Sequence, residues 1–383
     1  MNIVHTNDIS LQKIGAYFMR LVSTENIQVG SVLAKSIVNE REQVLLQEGV
    51  VLTERLIKRL RELGVSLAYI KDHENEVSEL ESAVSEVLRK KTKKIIQDTY
   101  TKMSRQETVA GSSLVLESAS KEYIELMRTI LEEVREQEAL LDLISDIFIV
   151  DDYIFTHSFN VTLYSVAIGL KLHLPIKQLE TLGLGALLHD VGKLKVPRDI
   201  LLKPGKLTEE EFEEIKRHAD YGYTILKEVK TIPLIVAHCA YQHHERLDGT
   251  GYPRGLKEDE IQYLAKIIAV ADVFDAVTSN RVYRKAMLPH EGLEILYAGC
   301  GRLFDLKIVE AFRSAVAVYP VGLTVELSNN TIGIVKRQNI GLSDRPIIEI
   351  IEENGKRIHN RYLLDLSEQL DLVIVKCNIE INN

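Results

Sequence analysis

A chain of 383 residues exceeds the size at which a single hydrophobic core stops growing, so two or three domains are expected. With 45% hydrophobic and 27% charged residues it has the composition of a soluble globular protein, and a net charge of −9 argues against a binder of DNA or RNA polymers. Three cysteines, Cys239, Cys300 and Cys377, lack CxxC spacing, so neither a disulfide framework nor a thiolate zinc site is expected.

No run of 18 apolar residues occurs and the stretch from Met1 to Tyr17 is polar, so a cytoplasmic protein without membrane insertion is expected. Residues 1–18 read as a loose extension, or as the product of a start site placed too early, with order rising at Met19. Residues 19–73 alternate short apolar runs with turn signals, then adopt a helical period capped by Thr53 with Leu56, Ile57 and Leu60 inward. A strand at 67–70 closes a small α/β regulatory module.

Residues 74–151 are charged, free of proline and helical in period, with one weak point at Ala110-Gly111-Ser112-Ser113. Two long helices joined by a bend are expected as a linker or stalk, with Val84, Val87 and Ile95 in a packing stripe and the basic run 89–94 on a solvated face. The alternative is a homodimer formed through this linker. Residues 152–316 predict an all-α core with helices over 162–172, 176–189, 208–229, 234–244, 258–279 and 290–298. From 320 to 383, alternating segments separated by Asn329-Asn330 and Asn354-Gly355 predict a small β-rich appendage. The fold class is therefore mainly α, flanked by two small modules.

Eight of the eleven histidines fall in the helical core, and five of them, His157, His189, His218, His243 and His244, form a metal-ligand pattern with Asp190 and Asp272. His189-Asp190 ends an apolar helix, and Asp272 interrupts the apolar run 266–276, where an unpaired carboxylate carries a large desolvation penalty. Five imidazoles and two carboxylates exceed one closed structural zinc and suit two divalent ions bridged by a carboxylate, the arrangement that activates water against a phosphoester. Nitrogen and oxygen donors with open positions fit Fe or Mn, and Zn or Ni compete on affinity. A satisfied hydrogen-bond network is the plain alternative. His173 and His238 are read as structural or surface residues, and His5, His73, His290 and His359 as solvated.

His157, then His189-Asp190-Val-Gly-Lys193, His218 with Gly222, His243-His244-Glu245, Asp248-Gly-Thr-Gly-Tyr-Pro253 and Asp272-Val-Phe-Asp-Ala276 closely resemble the HD-GYP domain, a branch of the HD-domain phosphohydrolases that cleaves cyclic di-GMP. The resemblance implies one ion held by His157, His189, Asp190 and Asp272, and a second by Asp190 as bridge with His218, His243 and His244. It implies that Lys193 stabilises charge or donates a proton at the attacked phosphate. Tyr252, between Gly251 and Pro253, would line the substrate cleft, with Asp275 near a guanine or ribose and Arg281 and Arg284 on the two phosphates. Plainer readings make Gly251 and Pro253 turn formers and the arginines surface ion pairs.

Two departures stand out. Tyr153 occupies the position four before His157 where some members carry a third-metal glutamate, so two metals are expected. Leu306 follows Asp305 where the family usually has proline, which alters a helix start. The implied activity is linearisation of cyclic di-GMP to pGpG and onward to GMP. The alternatives are a dinucleotide receptor with weak turnover, or a hydrolase of another cyclic dinucleotide or nucleotide phosphate.

Overall fold

A computed structural model describes residues 17–39, 44–63, 65, 67–77, 84–136, 148–149, 153–201, 203, 205–279, 287–339 and 341–377. The expected extension up to residue 16, His5, Arg281 and Arg284 lie outside the described residues.

The N-terminal module comprises β1 (Tyr17–Ser23), β2 (Ile37–Asn39), β3 (Val44–Leu46), α1 (Glu54–Glu62) and β4 (Leu67–Val77). Thr53 caps α1 by accepting from the Leu56 amide, and Ile57 and Leu60 are buried against Leu33, Leu52 and Ala68. β1 and β4 pair antiparallel, while the short β5 (Phe148–Ile149) joins β2 in parallel.

Two long helices follow, α2 (Glu86–Ser104) and α3 (Val109–Glu136). The bend lies before the glycine rather than at it. Gly111 sits inside α3, where Gln106 and Thr108 crowd the space a Cβ would take and the Thr108 hydroxyl accepts from the Gly111 amide. The helices are not free-standing: Leu88, Ile96, Tyr100, Leu116, Tyr123 and Ile130 share one core with residues of the following helical region, such as Phe159, Leu184 and Ile225. A Cβ on Gly183 would lie 2.1 Å from Met127 Sδ, so a larger residue there would displace the Met127 side chain from between the helices. Val84 and Ile95 are buried as expected, but Val87 is 78% exposed. The basic run is not wholly solvated either, since Arg89 and Lys93 are buried and the Arg89 guanidinium lies 5.6 Å from the Phe159 ring.

The helical core contains α4 (Tyr153–Lys171), α5 (Ile176–Leu188), a 3-10 turn (Val191–Lys195), α6 (Arg198–Leu201), α7 (Glu209–Lys216), α8 (His218–Leu226), α9 (Leu234–Gln242), α10 (Tyr263–Thr278), α11 (Pro289–Ala298) and α12 (Leu306–Ala315). The single helix expected over 208–229 divides at Arg217, and α7 opens with a reciprocal capping box between Thr208 and Glu211. The expected helix start at 258 is a short 3-10 turn, and α10 begins at Tyr263. Asp305 caps α12 by accepting from the Lys307 and Ile308 amides, so the helix starts cleanly without proline.

The C-terminal appendage is a five-stranded antiparallel sheet of β6 (Thr324–Leu327), β7 (Thr331–Arg337), β8 (Ile347–Glu353), β9 (Lys356–Asp365) and β10 (Ile374–Cys377), in the order β10-β6-β7-β8-β9. Asn330 and Asn354 take positive φ at its tight turns. The two small modules meet: the Leu21 amide donates to Gly322 O at 3.1 Å, and Met19, Leu21 and Tyr69 pack on Val321. No helix among the described residues is long and apolar enough to cross a membrane.

Candidate metal centre

The apolar helix α5 is buried along most of its length and delivers His189 at its C-terminal cap, where Nδ1 lies 2.6 Å from Ala186 O. The chain then tightens into the 3-10 turn. A Cβ on Gly192 would lie 1.9 Å from His218 O and 2.4 Å from Gly222 N, so this glycine lets the turn press directly on the start of α8. That contact sets Asp190 beside His218, whose Nδ1 is 2.7 Å from Ile215 O. His243 caps α9, with Nδ1 2.9 Å from Ala240 O. α4 and α10 complete the site with His157 and Asp272.

The structure brings all seven expected side chains together. Asp190, His218, His243 and His244 offer donor atoms within 4.8 Å of one another, as do His157, His189 and Asp272. Asp190 lies between the groups. Its Oδ1 is 3.4 Å from His218 Nε2 and 3.8 Å from His243 Nε2, while Oδ2 is 3.4 Å from His189 Nε2 and 3.5 Å from His157 Nε2. Asp272 spans the groups less tightly, with Oδ1 3.2 Å from His157 Nε2 and Oδ2 3.7 Å from His244 Nδ1.

The chemistry of these donors fits cations. A carbonyl only accepts, so Nδ1 of His189, His218 and His243 carries the ring proton and Nε2 carries a lone pair. Burial drives His218 down to about 4 and His243 below the ordinary imidazole range, which keeps both rings neutral. Their Nε2 atoms nevertheless face each other at 3.3 Å. Two nitrogens bound to one ion at about 2.1 Å each stand roughly 3.0–3.4 Å apart, so the spacing is that of co-ligands. Asp190 Oδ1 is buried without a hydrogen-bond donor. In the other group burial opposes charge on His157, yet Asp190, Asp272 and Asp275 outweigh it and raise the ring to about 10. That group also draws positive charge.

Burial would raise the Asp190 carboxyl, but Lys193 and the imidazoles hold it well below the usual carboxylate range. The Lys193 ammonium donates directly to Asp190 Oδ2. Tyr252 stacks on His244 with centroids 4.6 Å apart, and burial lifts its phenol well above the ordinary range. Gly251 has a structural reason to be glycine, because a Cβ would fall 2.5 Å from His244 O and 2.4 Å from Arg246 N. Pro253 is half-buried beside Tyr252.

The position implied for Asp275 requires correction. It is 1% exposed, with Oδ2 2.7 Å from His157 Nδ1 and Oδ1 accepting from Asn160 and Ser279, so it stands behind the imidazole and not against a guanine or ribose. His290 is corrected too: it is half-buried and stacks on Tyr319 at 5.4 Å instead of being solvated. His173 and His359 are exposed, and His238 is half-buried beside Tyr223. Glu245 belongs to the His243-His244-Glu245 motif, which by itself gives this carboxylate no task. Its buried carboxylate accepts from the Arg254 and Leu256 amides at 2.8 and 2.9 Å and pins the Gly-Tyr-Pro loop to the end of α9. An acid directly after a His-His pair at the end of an apolar helix is the available signal.

Residues 119–308 match the HD domain family model. Over 206 residues the chain is 40% identical to a cyclic di-GMP phosphodiesterase of Pseudomonas aeruginosa, covering 54% of this chain and 49% of that protein. Over 142 residues it is 46% identical to a cyclic di-GMP phosphodiesterase response regulator of Xanthomonas campestris, covering 37% and 38%. A 3'3'-cGAMP-specific phosphodiesterase of Vibrio cholerae is 39% identical over 168 residues, covering 44% and 36%. The matches thus span half or less of the length of these relatives. The helical core with its His189-Asp190 pair is an HD domain. Its His189-Asp190-Val-Gly-Lys193 and Asp248-Gly-Thr-Gly-Tyr-Pro253 motifs are similar to those of the HD-GYP branch of that family.

Proposed function

We propose that the chain is a metal-dependent phosphodiesterase that hydrolyses cyclic di-GMP to pGpG and onward to GMP. The observation that carries this reading is Asp190, which turns one oxygen toward each of two donor groups. His157, His189, Asp190 and Asp272 would hold one divalent ion, and Asp190, His218, His243 and His244 the other. Fe or Mn is proposed, with Zn or Ni competing. Bound there, the ions would supply Lewis acidity toward a phosphoryl oxygen and lower the pKa of a water molecule.

The protein's own groups orient and balance charge around that chemistry. Lys193, seated on Asp190, would stabilise charge or donate a proton at the phosphate. Tyr252, held by Gly251 and Pro253, would line the cleft, and Arg281 and Arg284 would meet the phosphates. A second reading keeps hydrolysis and changes the substrate to another cyclic dinucleotide, since one relative is named for 3'3'-cGAMP. The free thiols of Cys239, Cys300 and Cys377 support a reducing compartment, the cytoplasm. A homodimer through α2 and α3 would use their outer faces, where Val87 and Leu114 are exposed.

The test is anaerobic incubation of Fe- or Mn-loaded protein with cyclic di-GMP, followed by product chromatography. Linear pGpG is expected. Intact cyclic di-GMP contradicts the proposal, and tight binding with turnover unaltered by His189→Ala identifies a receptor instead.

A further inference from the structure

α7 is acidic and short, yet it presents Phe212 45% exposed. Its ring centroid is 6.4 Å from Tyr252, which stacks on His244 at 4.6 Å and lies edge-on to His218 at 6.3 Å. One turn beyond Phe212, Lys216 Nζ is 4.9 Å from the Phe212 ring and 5.6 Å from the Tyr252 ring, and also 2.6 Å from the exposed Glu213 carboxylate. The rings therefore step outward from the imidazoles of the donor group to solvent, with an ammonium over the faces of Phe212 and Tyr252. α7 is held in place by the Thr208–Glu211 capping box and by Lys203, whose Nζ is 2.7 Å from both Glu211 oxygens.

The exposed ring, with a cation over one face and the proposed metal centre next to it, offers the two contacts a nucleotide needs: its other face for the base and a charge for the phosphate. Packing alone would be served by an aliphatic residue, and solvation alone by another glutamate. We infer that Phe212 is a nucleobase-stacking platform of the substrate cleft, with Lys216 beside it for the phosphate of the same nucleotide. This rests on the reading of the site as a nucleotide phosphodiesterase and names the part that grips the base.

The chain contains no tryptophan, so Phe212→Trp provides a single fluorescent reporter. Cyclic di-GMP added to the metal-loaded full chain should quench that emission saturably, while a Tyr362→Trp reporter on β9 stays unquenched. Phe212→Leu should raise KM roughly ten-fold, the scale of one lost base–aromatic stack, with kcat falling less, and Phe212→Tyr should restore KM. Turnover without quenching at position 212, equal quenching at both reporters, or an unchanged KM in Phe212→Leu would overturn the platform and leave the hydrolysis proposal standing. Saturable quenching at 212 without turnover would support the platform and sink hydrolysis.

Discussion

Asp275 Oδ2 lies 2.7 Å from His157 Nδ1, and the opposite nitrogen of the same ring lies 3.2 Å from Asp272 Oδ1. Two carboxylates one turn apart on α10 thus hold the two sides of one imidazole. Asp272 joins the donor group, and Asp275 sets the ring's proton and orientation. Replacing Asp275 with alanine is expected to lower metal affinity at this group by about 10–100-fold, the usual effect of losing such a partner. A chelator competition titration measures this, and an unchanged affinity would show that His157 needs no orientation from behind.

Gly192 offers a packing test. Because an added methyl would meet His218 O at 1.9 Å, Gly192→Ala must push the 3-10 turn away from α8. Destabilisation by about 3 kcal/mol or more is expected, read from the urea midpoint, together with loss of bound metal as Asp190 leaves His218. A variant of native stability and metal content would refute the close approach.

Glu245→Ala leaves the Arg254 and Leu256 amides without their acceptor. A cost of about 2–4 kcal/mol is expected, with faster amide exchange at both positions, and Glu245→Gln should cost less because one oxygen remains. Exchange rates equal to wild type would mean that another group holds the Gly-Tyr-Pro loop.

His290 provides a pH test outside the metal centre. Burial lowers its pKa despite the opposing charges of Glu291 and Glu294. The folded pKa is depressed below the unfolded value of about 6.5, so the unfolded state binds the proton more readily; the stability this provides is present above that pH and is lost as pH falls through the folded pKa. His290→Phe should therefore flatten the fall in Tm between pH 7 and pH 5 relative to wild type. Parallel wild-type and variant curves would place the acid sensitivity elsewhere.

The donor set is legible in the sequence because an acid or imidazole at the end or in the middle of an apolar helix is costly unless something binds it. The helix-rich core and the β-rich appendage are legible for a similar reason: periods of 3.6 and 2 declare themselves locally. What local pattern does not carry is partnership. The stripe through Leu88 and Ile96 shows that α2 buries a face, but not that Phe159 lies against it. Spacing puts Asp275 on the same side of α10 as Asp272 without telling whether it meets a ring or a ligand. The meeting of Leu21 with Gly322 joins residues three hundred positions apart and leaves no local mark. The division at Arg217 is equally silent, since neither proline nor glycine announces it.

We propose that Asp190 joins two cation sites, one oxygen facing each donor group. The most direct measurement is anaerobic metal quantification on wild type, Asp190→Ala, His157→Ala and His243→Ala. Two equivalents of divalent metal per chain are expected in wild type, about one in each histidine variant, and a loss from both sites in Asp190→Ala. Metal content in Asp190→Ala equal to wild type, or no stoichiometric metal in any of the four proteins, would contradict it.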